Sequence, residues 1–219
     1  MQDDATKPDP PRRKLSRDAR RTQLMDATIE VLAQRGYART TLTEVANRAG
    51  LSHGLVNFHF QTKEKLLSET LLYLAEEYRQ NWILALDKAG SSAARQLDAL
   101  IRADFNPDIC TSAKLSAWCS FWGEAQSRPM YQDCCGSNDL AYNAQMEAIC
   151  ARLLQEAGST SAPQRVARVL RVTIEGVWLD MMTMNAPYDR TEALATVYCC
   201  AHSLFPKHFS PAGLDRESL

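Results

Sequence analysis

Residues 41–65, TLTEVANRAGLSHGLVNFHFQTKEK, leave the chain little freedom: they read as two short helices joined by a tight turn, with a third helix starting directly afterwards. Thr41 followed by Glu44 is a T-x-x-E capping box, in which the threonine hydroxyl takes one orphan helix amide and the glutamate reaches back for another. Val45, Ala46 and Ala49 fall on one side and are small enough for a second helix to cross closely. Gly50 permits the positive φ that ends the first helix. Leu51 plugs the turn from beneath, and Ser52 caps a second helix carrying His53, Gly54, Leu55, Val56, Asn57, Phe58, His59 and Phe60. Capping, turn, short helix and next helix start arrive in order, which favours a helix-turn-helix over an unspecialised helical hairpin.

A helix that reads DNA keeps polar side chains outward and apolar ones against its partner. His53, Gly54 and Asn57 face outward by spacing, with Ser52 at the helix start, while Leu55, Val56 and Phe60 turn inward. Asparagine can pair with adenine N6 and N7, and the missing Cβ at Gly54 allows close approach. Thr41, Thr43, His59 and Lys63, together with Arg17, Arg20 and Arg21, are the candidates for phosphate contacts, which fix register rather than sequence. One such unit reads only a few base pairs, so a two-fold dimer on palindromic double-stranded DNA is expected.

The string A-G-L-S-x-G, an aromatic-rich helix end and K-E-K-L-L resemble the DNA-binding domain of the tetracycline-repressor (TetR) family. The resemblance implies that the second short helix enters the major groove and that Thr41, His59 and Lys63 hold phosphate. Members of that family commonly have Tyr where this chain has Asn57.

Elsewhere the apolar spacing is helical, without strand alternation, repeat or low-complexity tract, and predicts an all-α chain of about nine helices. Residues 1–15 are polar and Pro-rich and read as a disordered arm. Residues 16–62 hold a first helix, closed by Gly36, packed across the helix-turn-helix to form a three-helix DNA-binding domain. Residues 63–206 are expected to form a helical ligand-binding and dimerisation domain, with helices to about 90 and then over 93–105, 111–128, 129–158, 163–185 and 190–204. Residues 207–219 read as a flexible tail. Val166, Val169, Leu170, Leu194, Val197, Tyr198 and Leu204 give the last two helices more apolar surface than one side needs, so a homodimer surface is expected there, with ordinary core as the alternative.

A formal net charge of −1 argues against indiscriminate coating of nucleic acid. Charge placement is more informative: Arg12, Arg13, Lys14, Arg17, Arg20 and Arg21 crowd the lead-in to the first helix against Asp18. No apolar run is long enough to span a bilayer, and the N-terminus lacks the apolar stretch of a signal peptide, so a cytoplasmic location and no membrane partner are expected. The 7 cysteines form no C-x-x-C, and their odd number argues against a disulfide framework. They read as small buried apolar residues, with redox sensing by the vicinal pairs Cys134/Cys135 and Cys199/Cys200 as the alternative. No Gly-rich phosphate loop, metal-ligand spacing or nucleophile motif occurs, so no enzymatic activity, cofactor or metal is expected.

Aromatic residues gather at Phe105, Trp118, Phe121, Trp122, Tyr131 and Trp178. Trp118 and Trp122 are four apart, which projects both indoles from neighbouring turns of one helix face, and Glu175 lies one turn before Trp178. Ring faces attract a quaternary ammonium without demanding a hydrogen bond it cannot make, and a carboxylate adds opposite charge. On spacing alone, core packing of the tryptophans competes with this reading. Phe105, A-W-x-x-F-W at 117–122, R-P-M-Y at 128–131 and I-E-G-V-W-L at 174–179 are similar to the sensor domains of the choline-responsive, betaine-pathway branch of the same family. That resemblance covers most of the chain. It implies a homodimeric repressor released from its operator by choline or a similar cation, held by Phe105, Trp118, Phe121, Trp122, Tyr131, Glu175 and Trp178, with the long fourth helix carrying the signal. The chain departs from the pattern in its N-terminal arm, around Cys134, and at His53, Asn57 and Phe58. A multidrug-type cation-sensing repressor and a thiol redox regulator are the alternatives.

Overall fold

Hydroxyl side chains set the helix starts. The computed structural model describes residues 16–124, 128–184 and 189–215. In it Ser16, Thr41, Ser52, Thr62, Ser92 and Thr111 each accept the backbone amide three residues on. These caps open α1 (Arg17–Arg39), α2 (Leu42–Ala49), α3 (His53–Phe60), α4 (Lys63–Ala89), α5 (Ala93–Asp104) and α6 (Ser112–Gly123). There follow α7 (Arg128–Glu156), α8 (Pro163–Thr183), with proline in its first turn, and α9 (Arg190–Leu204), capped by Asp189. The described residues thus hold the expected helices, with α6 and α8 ending earlier than their apolar spacing suggests. The arm expected at 1–15 lies outside the described residues.

Three apolar clusters organise these helices. Leu24, Ala27 and Val31 of α1 close on Val45 and Ala46 of α2 and Val56 and Phe60 of α3, and Leu66 from the start of α4 completes this small core. Gly50, at φ 65°, turns the chain from α2 into the loop before α3. A second cluster joins Ile29 and Leu32 of α1, Leu67, Leu71 and Leu74 of α4, and Ala117, Trp118 and Phe121 of α6. The largest cluster lies beyond it and takes in Leu97, Leu100, Ile101 and Phe105, with Met146 and Leu153 of α7, Leu170 and Ile174 of α8 and Val197 of α9. Helix α4 runs through all three, so it is a shared wall.

The expected flexible tail is corrected over 207–215. Phe209–Ser210 (β1) pairs antiparallel with Gly213–Leu214 (β2). Phe209 is fully buried and stacks on Tyr198 with ring centroids 6.4 Å apart. Gly213 has φ 125°, and a Cβ there would stand 3.4 Å from the Tyr198 ring. An apolar anchor two residues into a polar stretch is enough to fasten it, and composition averages that anchor away. Residues 216–219 lie outside the described set.

Candidate functional site

The outward side of α3 presents His53, Gly54 and Asn57, all exposed, while Val56 and Phe60 are buried and Leu55 is half-buried. A Cβ at Gly54 would meet nothing nearer than Ser52 Oγ, at 4.0 Å. Thr41 and Ser52 use their oxygens as helix caps, at 3.2 and 3.3 Å, and each hydroxyl keeps a proton to donate. Thr43 and Arg17 are exposed. Arg20 donates to Gln23 Oε1 at 2.7 Å, and the Gln23 amide in turn holds the Ala49 carbonyl at 3.0 Å, which ties α1 to the end of α2.

Two basic residues serve the frame. Arg21 stands 4.8 Å from the Phe60 ring centroid, pairs with Glu69 and donates to the His59 carbonyl at 3.1 Å, so it clamps α3 onto α4. Lys63 donates to the carbonyls of Tyr37 and Ala38 at 2.9 and 3.1 Å, neutralising the end of α1 and leaving one of its three protons. His59 is half-buried; desolvation, with Arg21 next in effect, holds its imidazole below the ordinary value.

Further along the chain, side chains of α4, α6, α7 and α8 surround about 560 Å³ of space free of protein atoms, part of it open to solvent. Trp118 and Trp122 stack with centroids 6.1 Å apart, and Trp122 lies nearly parallel to Trp178, at 6.4 Å and 6°. Tyr131 meets Trp118 edge-on at 6.4 Å, and Tyr78 meets Trp178 edge-on at 6.0 Å. The same wall carries Asp139, Glu175 and Arg171. Arg171 pairs with Glu175 at 2.9 Å, and the Tyr131 hydroxyl donates to Asp139 at 3.2 Å. Burial pushes both carboxyls above the ordinary range, opposed by Tyr131 at Asp139 and by Arg171 at Glu175. When both are ionised, two carboxylates against one guanidinium leave the pocket negative.

Asp104 fastens the pocket from below, and sequence spacing alone did not single it out. Fully buried at the end of α5, it accepts the hydroxyls of Tyr78 and Tyr142, each at 2.7 Å, while its carbonyl accepts the Trp178 indole N–H at 3.2 Å. Three walls are held by one residue. Burial pushes its carboxyl up to about 7 against the two tyrosine hydrogen bonds. A usable signal was present: Leu97, Leu100, Ile101 and Asp104 occupy one helical stripe, and a carboxylate on an apolar stripe demands partners. Tyr78, Asp139, Tyr142 and Arg171 are further lining residues that lay outside the expected set.

Phe105 and Phe121 are corrected. Both are fully buried and neither lines the pocket. Phe105 packs in the large core, whereas Phe121 meets Tyr37 of α1 edge-on at 6.0 Å. Residues four apart share a face, so Trp118 with Trp122 turns to the pocket and Ala117 with Phe121 turns to α1.

Comparison with known proteins identifies the architecture. A family model described as bacterial regulatory proteins, tetR family, matches residues 24–70, and one described as BetI-type transcriptional repressor, C-terminal, matches 93–206. The chain belongs to the TetR family, with a BetI-type C-terminal domain. Its relatives include the HTH-type transcriptional regulator BetI of Paraburkholderia xenovorans, 30% identical over 82% of this chain and 90% of that protein. The BetI of Serratia proteamaculans is 28% identical over 80% of this chain and 87% of its own. Among solved structures, a transcriptional regulator from Pseudomonas aeruginosa PAO1 superposes with a TM-score of 0.74 at 23% identity, covering 88% of this chain and 93% of that one. A regulator from Saccharomonospora viridis, solved in complex with choline, gives 0.67 at 20% identity over 83% and 94%. As a TetR-family repressor the chain is a DNA-binding regulator of transcription and not an enzyme. Among the described residues no helix is long and apolar enough to cross a membrane.

Proposed function

We propose that this TetR-family repressor covers a palindromic operator as a homodimer and lets go when choline, or a similar small quaternary ammonium, enters the pocket between α6, α7 and α8, controlling glycine-betaine synthesis. The observation that carries this reading is the parallel pair Trp122 and Trp178, joined by Trp118 and Tyr131, with the carboxylates of Asp139 and Glu175 on the same wall. Indole faces supply the negative surface that a methylated ammonium needs, and the carboxylates supply net charge without competing for hydrogen bonds. The choline complex of the S. viridis neighbour supports the same ligand class. For the dimer, support comes from Val169, Val172 and Leu179, which stand exposed along α8. DNA contacts are assigned to His53, Gly54 and Asn57 for bases, and to Arg17, Arg20, Thr41, Thr43, Ser52, His59 and Lys63 for the backbone.

A ligand shifts a two-state equilibrium only by preferring one state. Trp118 belongs both to the pocket and to the cluster that seats α1, so a ligand that reorients this indole acts on the DNA-binding unit through α6. Tyr78 gives α4 a second, parallel connection, since it lines the pocket from the helix that follows α3. A thiol redox switch at the Cys134/Cys135 pair fits less well: burial raises the Cys134 thiol and pushes Cys135 up to about 12, away from the reactive thiolate.

The test is a titration of tryptophan fluorescence with choline, paired with operator release in a gel-shift assay. Saturable quenching and release over the same concentration range are expected. No response to millimolar choline would sink the ligand assignment, and a response confined to bulky planar cations would replace it with a multidrug-type sensor.

A further inference from the structure

Phe58 is 69% exposed, the most exposed phenyl, phenol or indole ring among the described residues. It stands on α3, whose other large aromatic, Phe60, is fully buried. His53 with Asn57 and Gly54 with Phe58 are i,i+4 pairs, so these four residues form two adjacent stripes of one outward face. His59 meets the Phe58 ring edge-on with centroids 5.3 Å apart, which supports the ring. One turn earlier Gly54 leaves open space, since a Cβ there would approach only Ser52 Oγ, at 4.0 Å. An apolar ring beside an open notch, on a helix flanked by Arg17, Arg20 and Lys63, needs an apolar feature within a polyanion. The major groove has one: the C5-methyl group of thymine is the apolar group among the base edges displayed there.

We propose that Phe58 is a specificity-determining residue whose ring packs against the C5-methyl group of one thymine in each operator half-site, with the Gly54 notch making room for it. This rests on the assignment of α3 as the DNA-reading helix. Phe58 neutralises no phosphate, so it changes which sequence is preferred and leaves the salt dependence alone.

The experiment begins with sites selected by the full-length protein from a random duplex library. Each thymine of the selected site is then replaced by deoxyuridine, which removes the methyl group and nothing else. One position per half-site should weaken wild-type binding about 3- to 10-fold, as expected for losing one buried methyl contact. Phe58→Ala should lose that sensitivity, and Phe58→Leu, which keeps an apolar side chain, should retain part of it. The ring is exposed, so both variants should fold as the wild type does. Wild-type binding indifferent to every deoxyuridine, or a deoxyuridine effect unchanged in Phe58→Ala, overturns the proposal. Failure to enrich any sequence overturns the DNA-reading role of α3 instead, so the two failures are distinguishable.

Discussion

The core that seats the reading helix is built from Leu24, Ala27, Val31, Val45, Ala46, Val56, Phe60 and Leu66, all aliphatic or aromatic, and each of its helices opens on its own hydroxyl cap. The aromatic pocket stands on a different footing. Its walls depend on a buried carboxyl, Asp104, gripped by two tyrosines, and on a guanidinium between two carboxylates. Apolar packing carries no group that titrates, whereas buried polar networks cost heavily when half satisfied. If the proposed function holds, one end of the molecule is made to hold a shape, and the other to respond to what enters it.

Trp118→Ala should give the largest effect, because this indole belongs to both ends. A loss of about 3–5 kcal/mol is expected for truncating a buried tryptophan. DNA affinity and choline response should fall together, as read by denaturant unfolding alongside gel shifts. Intact DNA binding with release alone abolished would show that α6 is not the joint described here. Asp104→Asn should cost about 1–3 kcal/mol at acidic pH by disturbing the paired tyrosines. Its carboxyl is raised to about 7 in the folded chain, so between about pH 4 and pH 7 the folded state binds more protons than the unfolded one. Wild-type stability contributed by this group is complete at the acid end and lost as pH rises through about 7. The gap between wild type and Asp104→Asn should narrow over that window in unfolding experiments at several pH values. A constant gap would mean that Asp104 stays ionised.

Trp122→Ala separates the two ends more cleanly, since Trp122 is 36% exposed and lies outside the joint with α1. Choline should bind about 3- to 30-fold more weakly, the range of one cation–π contact, with little change in melting temperature. Calorimetry decides it, and unchanged affinity would remove Trp122 from the cage. Smallest of all, Arg17→Ala should weaken binding evenly across DNA sequences and lower the salt slope by about one, measured by repeating the titration at several ionic strengths. A change in base preference would contradict its role as a phosphate contact.

The reading helix was legible because its signals are local: Thr41, Gly50 and Ser52 act on neighbours within one turn. Trp118, Trp122 and Trp178 were legible as aromatic residues, and their spacing placed the first two on one face. Which way that face pointed was not, so Phe121 was grouped with a pocket to which it turns its back. Asp104 finds its partners on α4 and α7, 26 and 38 residues away in the chain, and no window of sequence contains that arrangement. The anchoring of Phe209 escaped for the same reason, since Tyr198 waits on a different element.

Helix α6 has 12 residues, with tryptophans toward the aromatic pocket and Ala117 and Phe121 toward α1. A strut with two loaded faces cannot transmit in one direction only. On the proposed mechanism, whatever factor the effector takes from operator affinity, the operator must take from effector affinity. Protein free of DNA would then fill its pocket at lower effector concentrations than protein already seated, so the threshold for induction depends on how much of the repressor is waiting off its sites.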